Sequence, residues 1–182
     1  MSVPAVAPPL SQLPNALTIA RFALIPVFVV LVLRADHGYS IAAAIVFAVA
    51  GITDQIDGFL ARRWHVESEF GRYADPLADR LMIDAAIILL CFADRLPWAA
   101  LAIILVRDVV LVGGSRFAIK RGYRFEVTLL GKIATWILYA SIVFILATHQ
   151  GTVWPLVLFW IGVGLAAVAG VNYVVRVRRA LR

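Results

Sequence analysis

One cysteine in 182 residues, Cys91, excludes an intrachain disulfide and any zinc site built on several thiolates. Charge is scarce as well: 15% of residues are Asp, Glu, Lys or Arg, against about 25% in a typical soluble domain. An ordinary water-soluble domain is thereby excluded, and 63% hydrophobic residues point to a polytopic membrane protein. No basic segment precedes the first long apolar stretch, which follows Arg21 and contains Pro26, so a cleaved signal peptide is not expected. Length leaves no room for a second folded domain, since six spans of about 20 residues use about 120 positions.

What charge there is has a sign. Seventeen Lys and Arg against eleven Asp and Glu give +6, which in a membrane protein indicates cytoplasmic loops and anionic headgroups, not nucleic acid. Four prolines (Pro4, Pro8, Pro9, Pro14) make residues 1–14 an interfacial lead-in, and residues 15–182 a single all-α domain. The expected spans are about 15–33, 39–62, 72–93, 97–117, 127–148 and 153–175. With both termini inside, the inner segments hold Arg62, Arg63, Arg72, Arg116, Lys120, Arg121, Arg124, Lys132, Arg176, Arg178, Arg179 and Arg182, and the outer ones only Arg34 and Arg95. This is the asymmetry of a multi-pass membrane protein with cytoplasmic ends.

Six acids nevertheless fall in apolar context: Asp54, Asp57, Asp75, Asp79, Asp84 and Asp108. Each ionised carboxylate at a span centre costs at least about 2.5 kcal/mol, so each needs compensation. On a helix, Asp54 and Asp57 are about 60° apart and Asp75 and Asp79 about 40°. Counted from Arg62 and Arg72, both pairs lie roughly 5 to 12 Å inside the cytoplasmic ends of spans 2 and 3. A short turn joins those spans, so the four carboxylates can converge on one pocket.

Clustered carboxylates repel one another unless cations lie between them. An all-oxygen ligand set selects hard divalent ions, Mg2+ or Mn2+, over zinc, and carboxylate-held magnesium typically shares phosphate oxygens of a substrate. The competing reading is ion pairing with Arg62, Arg72 and Arg80. Gly58 and Ala61 share the stripe of Asp54 and Asp57, either as a shallow groove or as a close-packing face. Gly71 either opens a phosphate-binding helix N-terminus or is a turn glycine.

The segment Asp54-Gln55-Ile56-Asp57-Gly58-Phe59-Leu60-Ala61-Arg62, eight residues, then Gly71-Arg72-Tyr73-Ala74-Asp75-Pro76-Leu77-Ala78-Asp79, resembles the signature of the CDP-alcohol phosphatidyltransferases, D-x2-D-G-x2-A-R-x8-G-x3-D-x3-D. Every fixed position is present. The resemblance implies transfer of a phosphatidyl group from CDP-diacylglycerol to an alcohol, with release of CMP. It further implies two divalent ions on Asp54, Asp57, Asp75 and Asp79, with Asp79 also the general base. Gly58, Ala61, Arg62 and Gly71 would hold the CDP portion, and the enzyme would be a homodimer.

Pro14-Asn15-Ala16-Leu17-Thr18-Ile19-Ala20-Arg21 resembles the opening of the phosphatidylglycerophosphate synthase and cardiolipin synthase branch. Arg21, roughly 9 Å inside span 1, is level with the aspartates as a phosphate contact or a counter-ion. Lys132, roughly 8 Å into span 5 in a segment that looks like a family position, and Arg116 are candidates for the phosphate of glycerol 3-phosphate, the expected acceptor. Phosphatidylglycerol, as in a cardiolipin synthase, is the alternative, and phosphatidylinositol-phosphate synthesis comes third. A cation transporter would spread its acids along the membrane normal instead of gathering four at one depth. Arg107 and Asp108, adjacent on one helix, are expected to face apart and to pair elsewhere. Asp84 is expected to neutralise an arginine, and Arg176, Arg178, Arg179 and Arg182 to rest on anionic headgroups. Trp64, Trp98, Trp154 and Trp160 mark membrane boundaries, with Trp136 packed inside.

Overall fold

The computed structural model describes the backbone of residues 13–64, 69–120 and 129–180, and the side chains of residues 16, 17, 19–53, 80–110 and 129–176. These residues form six helices and no strand: α1 Leu13–Leu33, α2 Ile41–Trp64, α3 Glu69–Phe92, α4 Trp98–Lys120, α5 Leu129–Ala147 and α6 Trp154–Ala180. The expected interfacial segment 1–14 lies outside the described residues up to position 12. Pro14 falls in the first turn of α1, where its missing N–H is no loss. Helix ends differ from expectation by up to five residues, the largest shift carrying α6 past Val175 to Ala180, so that Arg176, Arg178 and Arg179 are helical.

The helices run alternately up and down. α5 packs most extensively on α6, α1 lies against both α2 and α3, α2 also meets α5, and α4 meets α6. The core is continuous through Phe28, Phe47, Met82, Ile87, Leu90, Ile142, Ile145 and Phe159. Small residues set the closest approaches: a Cβ on Gly51 would lie 2.8 Å from the Tyr139 ring, joining α2 to α5. The outside of the bundle is also apolar. All six helices expose large hydrophobic side chains, among them Val27, Ile45, Leu81, Val106, Ile133 and Val168, a surface that suits lipid and not water. Two helical segments, Leu129–Ala147 and Trp154–Arg176, are apolar over a membrane-crossing length, while the apolar stretches of α1 and α2 are shorter, Ile19–Leu33 and Ile41–Thr53. Trp136 is 54% exposed and so faces outward. It is not the packed residue expected, because the buried stripe of α5 runs through Ala134, Leu138, Ser141, Ile142 and Ile145.

The end of the bundle formed by turns 34–40, 93–97 and 148–153 is sewn together by one side chain. Arg95, an outer-loop charge in the sequence, is 8% exposed. Its Nη2 donates to the carbonyls of Ile145 (2.6 Å) and Thr148 (2.8 Å), and its Nη1 to that of His37 (3.3 Å). Burial lowers its pKa, yet a guanidinium stays protonated, and the C-terminal carbonyls of α5 are favourable partners for a cation. Ser40 caps α2 by accepting the Ala43 N–H at 3.1 Å, and its own N–H donates to Leu146 O at 2.8 Å. The turn closes through His37 and Gly38 at φ 44° and 70°. A Cβ at Gly38 would meet that of Ala93 at 3.0 Å, so glycine is required there for space as well as conformation.

Candidate active site

The motif lies toward the other end. Both α2 and α3 are continuous helices through it, so the i, i+3 and i, i+4 spacings hold each aspartate pair on one side of its helix. By helical rise, Asp57 and Asp54 are about 10 and 15 Å from Trp64, and Asp75 and Asp79 about 9 and 15 Å from Glu69. Four carboxylate-bearing positions thus share one level on antiparallel neighbours. Their side chains, and those of Gly58, Ala61, Arg62 and Gly71, lie outside the described residues. Gly71 is the third residue of α3, among the first four whose N–H groups have no helical acceptor. Among the described residues no His, Cys, Asp or Glu cluster suited to a metal occurs.

Arg21 joins this level. It stands about 12 Å along α1, the helix that packs on both motif helices, and is 1% exposed. An arginine held so far from water needs compensation by its neighbours. Lys132 is the fourth residue of α5 and exposed, about 4.5 Å from the helix start. The expected start of this span at Val127 lies outside the described residues. Arg116 is four residues from the end of α4, about 6 Å, with its side chain outside the described residues.

One ion cluster joins α3 to α4, and in it Asp108 has the separate partner expected of it, Arg80. Arg80 Nη1 on α3 is 3.4 Å from Asp108 Oδ2 on α4, and Arg107 Nη1 is 3.4 Å from Asp108 Oδ1. Arg107 and Asp108 therefore do meet, contrary to expectation. The long arginine stem folds back along the helix, although the two Cβ atoms diverge. Arg80, one candidate for neutralising the motif acids, reaches Asp108. A signal was present in the matching levels of the two positions, about 16 Å from Glu69 of α3 and about 18 Å from Lys120 of α4.

A helical bundle with an apolar exterior and four acidic positions at one level of two neighbouring helices defines a protein of membrane type with charge set along its helices. The sequence model for CDP-alcohol phosphatidyltransferase matches residues 11–168. A cardiolipin synthase (CMP-forming) of Streptomyces coelicolor is 36% identical over 181 residues, covering 93% of this chain and 84% of the relative. The CDP-diacylglycerol--glycerol-3-phosphate 3-phosphatidyltransferase of Bacillus subtilis is 36% identical over 137 residues, 69% of this chain and 71% of the relative. That of Escherichia coli K12 is 30% identical over 165 residues, 80% and 91%. The chain belongs to the CDP-alcohol phosphatidyltransferase family. It is an enzyme of that class, of membrane type.

Proposed function

We propose that the chain transfers the phosphatidyl group of CDP-diacylglycerol to glycerol 3-phosphate, giving phosphatidylglycerophosphate and CMP. All six helices span the inner membrane in this reading, residues 15–182 form the catalytic domain, and both termini and the active site are cytoplasmic. The observation that carries the reading is the complete D-x2-D-G-x2-A-R-x8-G-x3-D-x3-D pattern on two continuous antiparallel helices at a common depth.

The donor set suits two hard divalent ions, since four carboxylates supply oxygen alone. Asp54, Asp57 and Asp75 would hold them, with Asp79 sharing one. Bound there, Mg2+ or Mn2+ neutralises charge on the pyrophosphate and on departing CMP. Gly58 and Ala61 leave the backbone of α2 open to the nucleotide, and Arg62 and the first-turn N–H of Gly71 supply donors to phosphate. Asp79 accepts the acceptor's hydroxyl proton. A carboxylate is a weak base for an alcohol, so the proton moves late, once oxygen is bonding to phosphorus. Lys132 and Arg116 stand at similar shallow levels on α5 and α4 and are assigned in this reading to the phosphate of the acceptor. Arg21 supplies a further positive charge at the aspartate level. The C-terminal arginines rest on anionic headgroups, and the family resemblance supports a homodimer.

A second acceptor, phosphatidylglycerol, is favoured by the Streptomyces relative, whose match covers 93% of this chain. Purified protein given CDP-diacylglycerol, Mn2+ and one acceptor at a time distinguishes the two. CMP release with glycerol 3-phosphate supports the first reading, and release with phosphatidylglycerol alone replaces it by the second.

A further inference from the structure

Asp108 is a carboxylate held on both oxygens by two guanidiniums. Arg80 reaches it from α3 at 3.4 Å and Arg107 from its own helix at 3.4 Å, with side chains 37%, 17% and 20% exposed for Arg80, Asp108 and Arg107. The Nε of Arg107 is buried with no hydrogen-bond partner among the described residues, and both cations reach the one carboxylate of Asp108. Such a cluster in the middle of a span is expensive, and apolar packing could join α3 to α4 without it.

Its position gives it a use. Arg80 directly follows Asp79 in α3. By helical rise the cluster lies about 1 to 5 Å deeper than Asp79, immediately beneath the level of the four aspartates. Around the helix, position 80 is about 100° from position 79 and about 140° from position 75. An ion pair at position 80 therefore ties one side of α3 to α4 and fixes the rotation of α3 about its axis. At a side-chain radius of about 6 Å, a 10° rotation moves a carboxylate by about 1 Å. Errors of that size cost a metal or catalytic site one to two orders of magnitude.

We propose that Asp108 and Arg80 are positioning residues, which lock α3 in the rotation that places Asp75 and Asp79 for divalent-metal binding. This rests on the assignment of the four aspartates to the metal site. Arg107 completes the lock by occupying the second oxygen of Asp108, which leaves the Oδ2 atom to Arg80. A lock of this kind acts on the two α3 aspartates together and leaves the α2 pair untouched.

Mn2+ binding by full-length protein in detergent, read by electron paramagnetic resonance without substrate, separates this role from a merely structural one. Arg80→Lys keeps the charge but loses the planar fork. The triple variant Arg80→Met/Arg107→Met/Asp108→Leu replaces the cluster with apolar packing, and buried ion clusters tolerate such replacement in folding. The expected result is an Mn2+ Kd raised about tenfold or more in the triple variant, at a melting temperature close to wild type, and by a smaller factor in Arg80→Lys. Wild-type Mn2+ affinity in both variants overturns the positioning role. Asp57→Asn tests the underlying assignment separately, and wild-type Mn2+ affinity in that variant overturns the metal site itself.

Discussion

Two arginine sites in this bundle are compensated in opposite ways. At the end formed by turns 34–40, 93–97 and 148–153, Arg95 is satisfied by the carbonyls of His37, Ile145 and Thr148. Midway along α3 and α4, Arg80 and Arg107 share the carboxylate of Asp108. Carbonyls suffice for Arg95 because the C-terminus of α5 carries a partial negative charge and the bundle end is near water. Between α3 and α4, away from any helix C-terminus, the two guanidiniums meet an opposite charge instead. The Arg95 site touches no part of the motif, whereas the Asp108 cluster lies beside it. One gathers the turns at an end of the bundle, and the other ties α3 to α4 next to the motif.

Substitutions can break that division, and the largest effect belongs to the motif. Asp57→Asn is expected to reduce turnover by about a thousandfold or more, since a lost metal means several kcal/mol of charge stabilisation at about 1.4 kcal/mol per decade. CMP release measures it, and the melting temperature should be nearly unchanged. Residual activity within tenfold of wild type would place the metal elsewhere.

Asp79→Asn comes next, with turnover reduced by about 10² to 10⁴-fold, the range of general-base catalysis. CDP-diacylglycerol binding, measured by equilibrium dialysis of a short-chain analogue, should persist in Asp79→Asn and be lost in Asp57→Asn. Equal loss in the two would erase the separation between ligand and base.

Lys132→Ala should raise KM for glycerol 3-phosphate by about 10- to 100-fold and leave that for CDP-diacylglycerol unchanged, because a hydrogen bond to a charged group contributes about 1.5 to 3 kcal/mol. An equal rise for both substrates would remove Lys132 from the acceptor site.

Arg95→Ala has the smallest expected effect on chemistry, with turnover per folded molecule within about twofold of wild type. Its signature is a lower melting temperature, since three carbonyls lose a charged donor. A large fall in kcat with the melting temperature intact would abolish the contrast between the two ends.

Much of this was legible in the sequence because it rests on spacing. Asp54, Asp57, Asp75 and Asp79 declare a shared helical face and depth, and helical rise alone puts them at one level. The six helices follow from apolar runs punctuated by charge. The Arg95 latch was not legible, for its partners are backbone carbonyls 50 to 58 positions away, and a carbonyl carries no residue-type signal. The Arg107 and Asp108 contact was misjudged because helical spacing describes Cβ directions, and a guanidinium on a four-bond stem can return to its neighbour. Trp136 was misplaced for a related reason: depth in a span does not say which face of the helix is buried.

The central claim is that the four aspartates of α2 and α3 hold divalent ions that carry phosphatidyl transfer, and one measurement tests it most directly. CMP release by the purified protein from CDP-diacylglycerol and glycerol 3-phosphate is followed before EDTA, after EDTA, and after Mn2+ or Mg2+ is restored. Activity, its abolition by EDTA and its recovery with either ion are the expected results. Full turnover in metal-free buffer would contradict the claim.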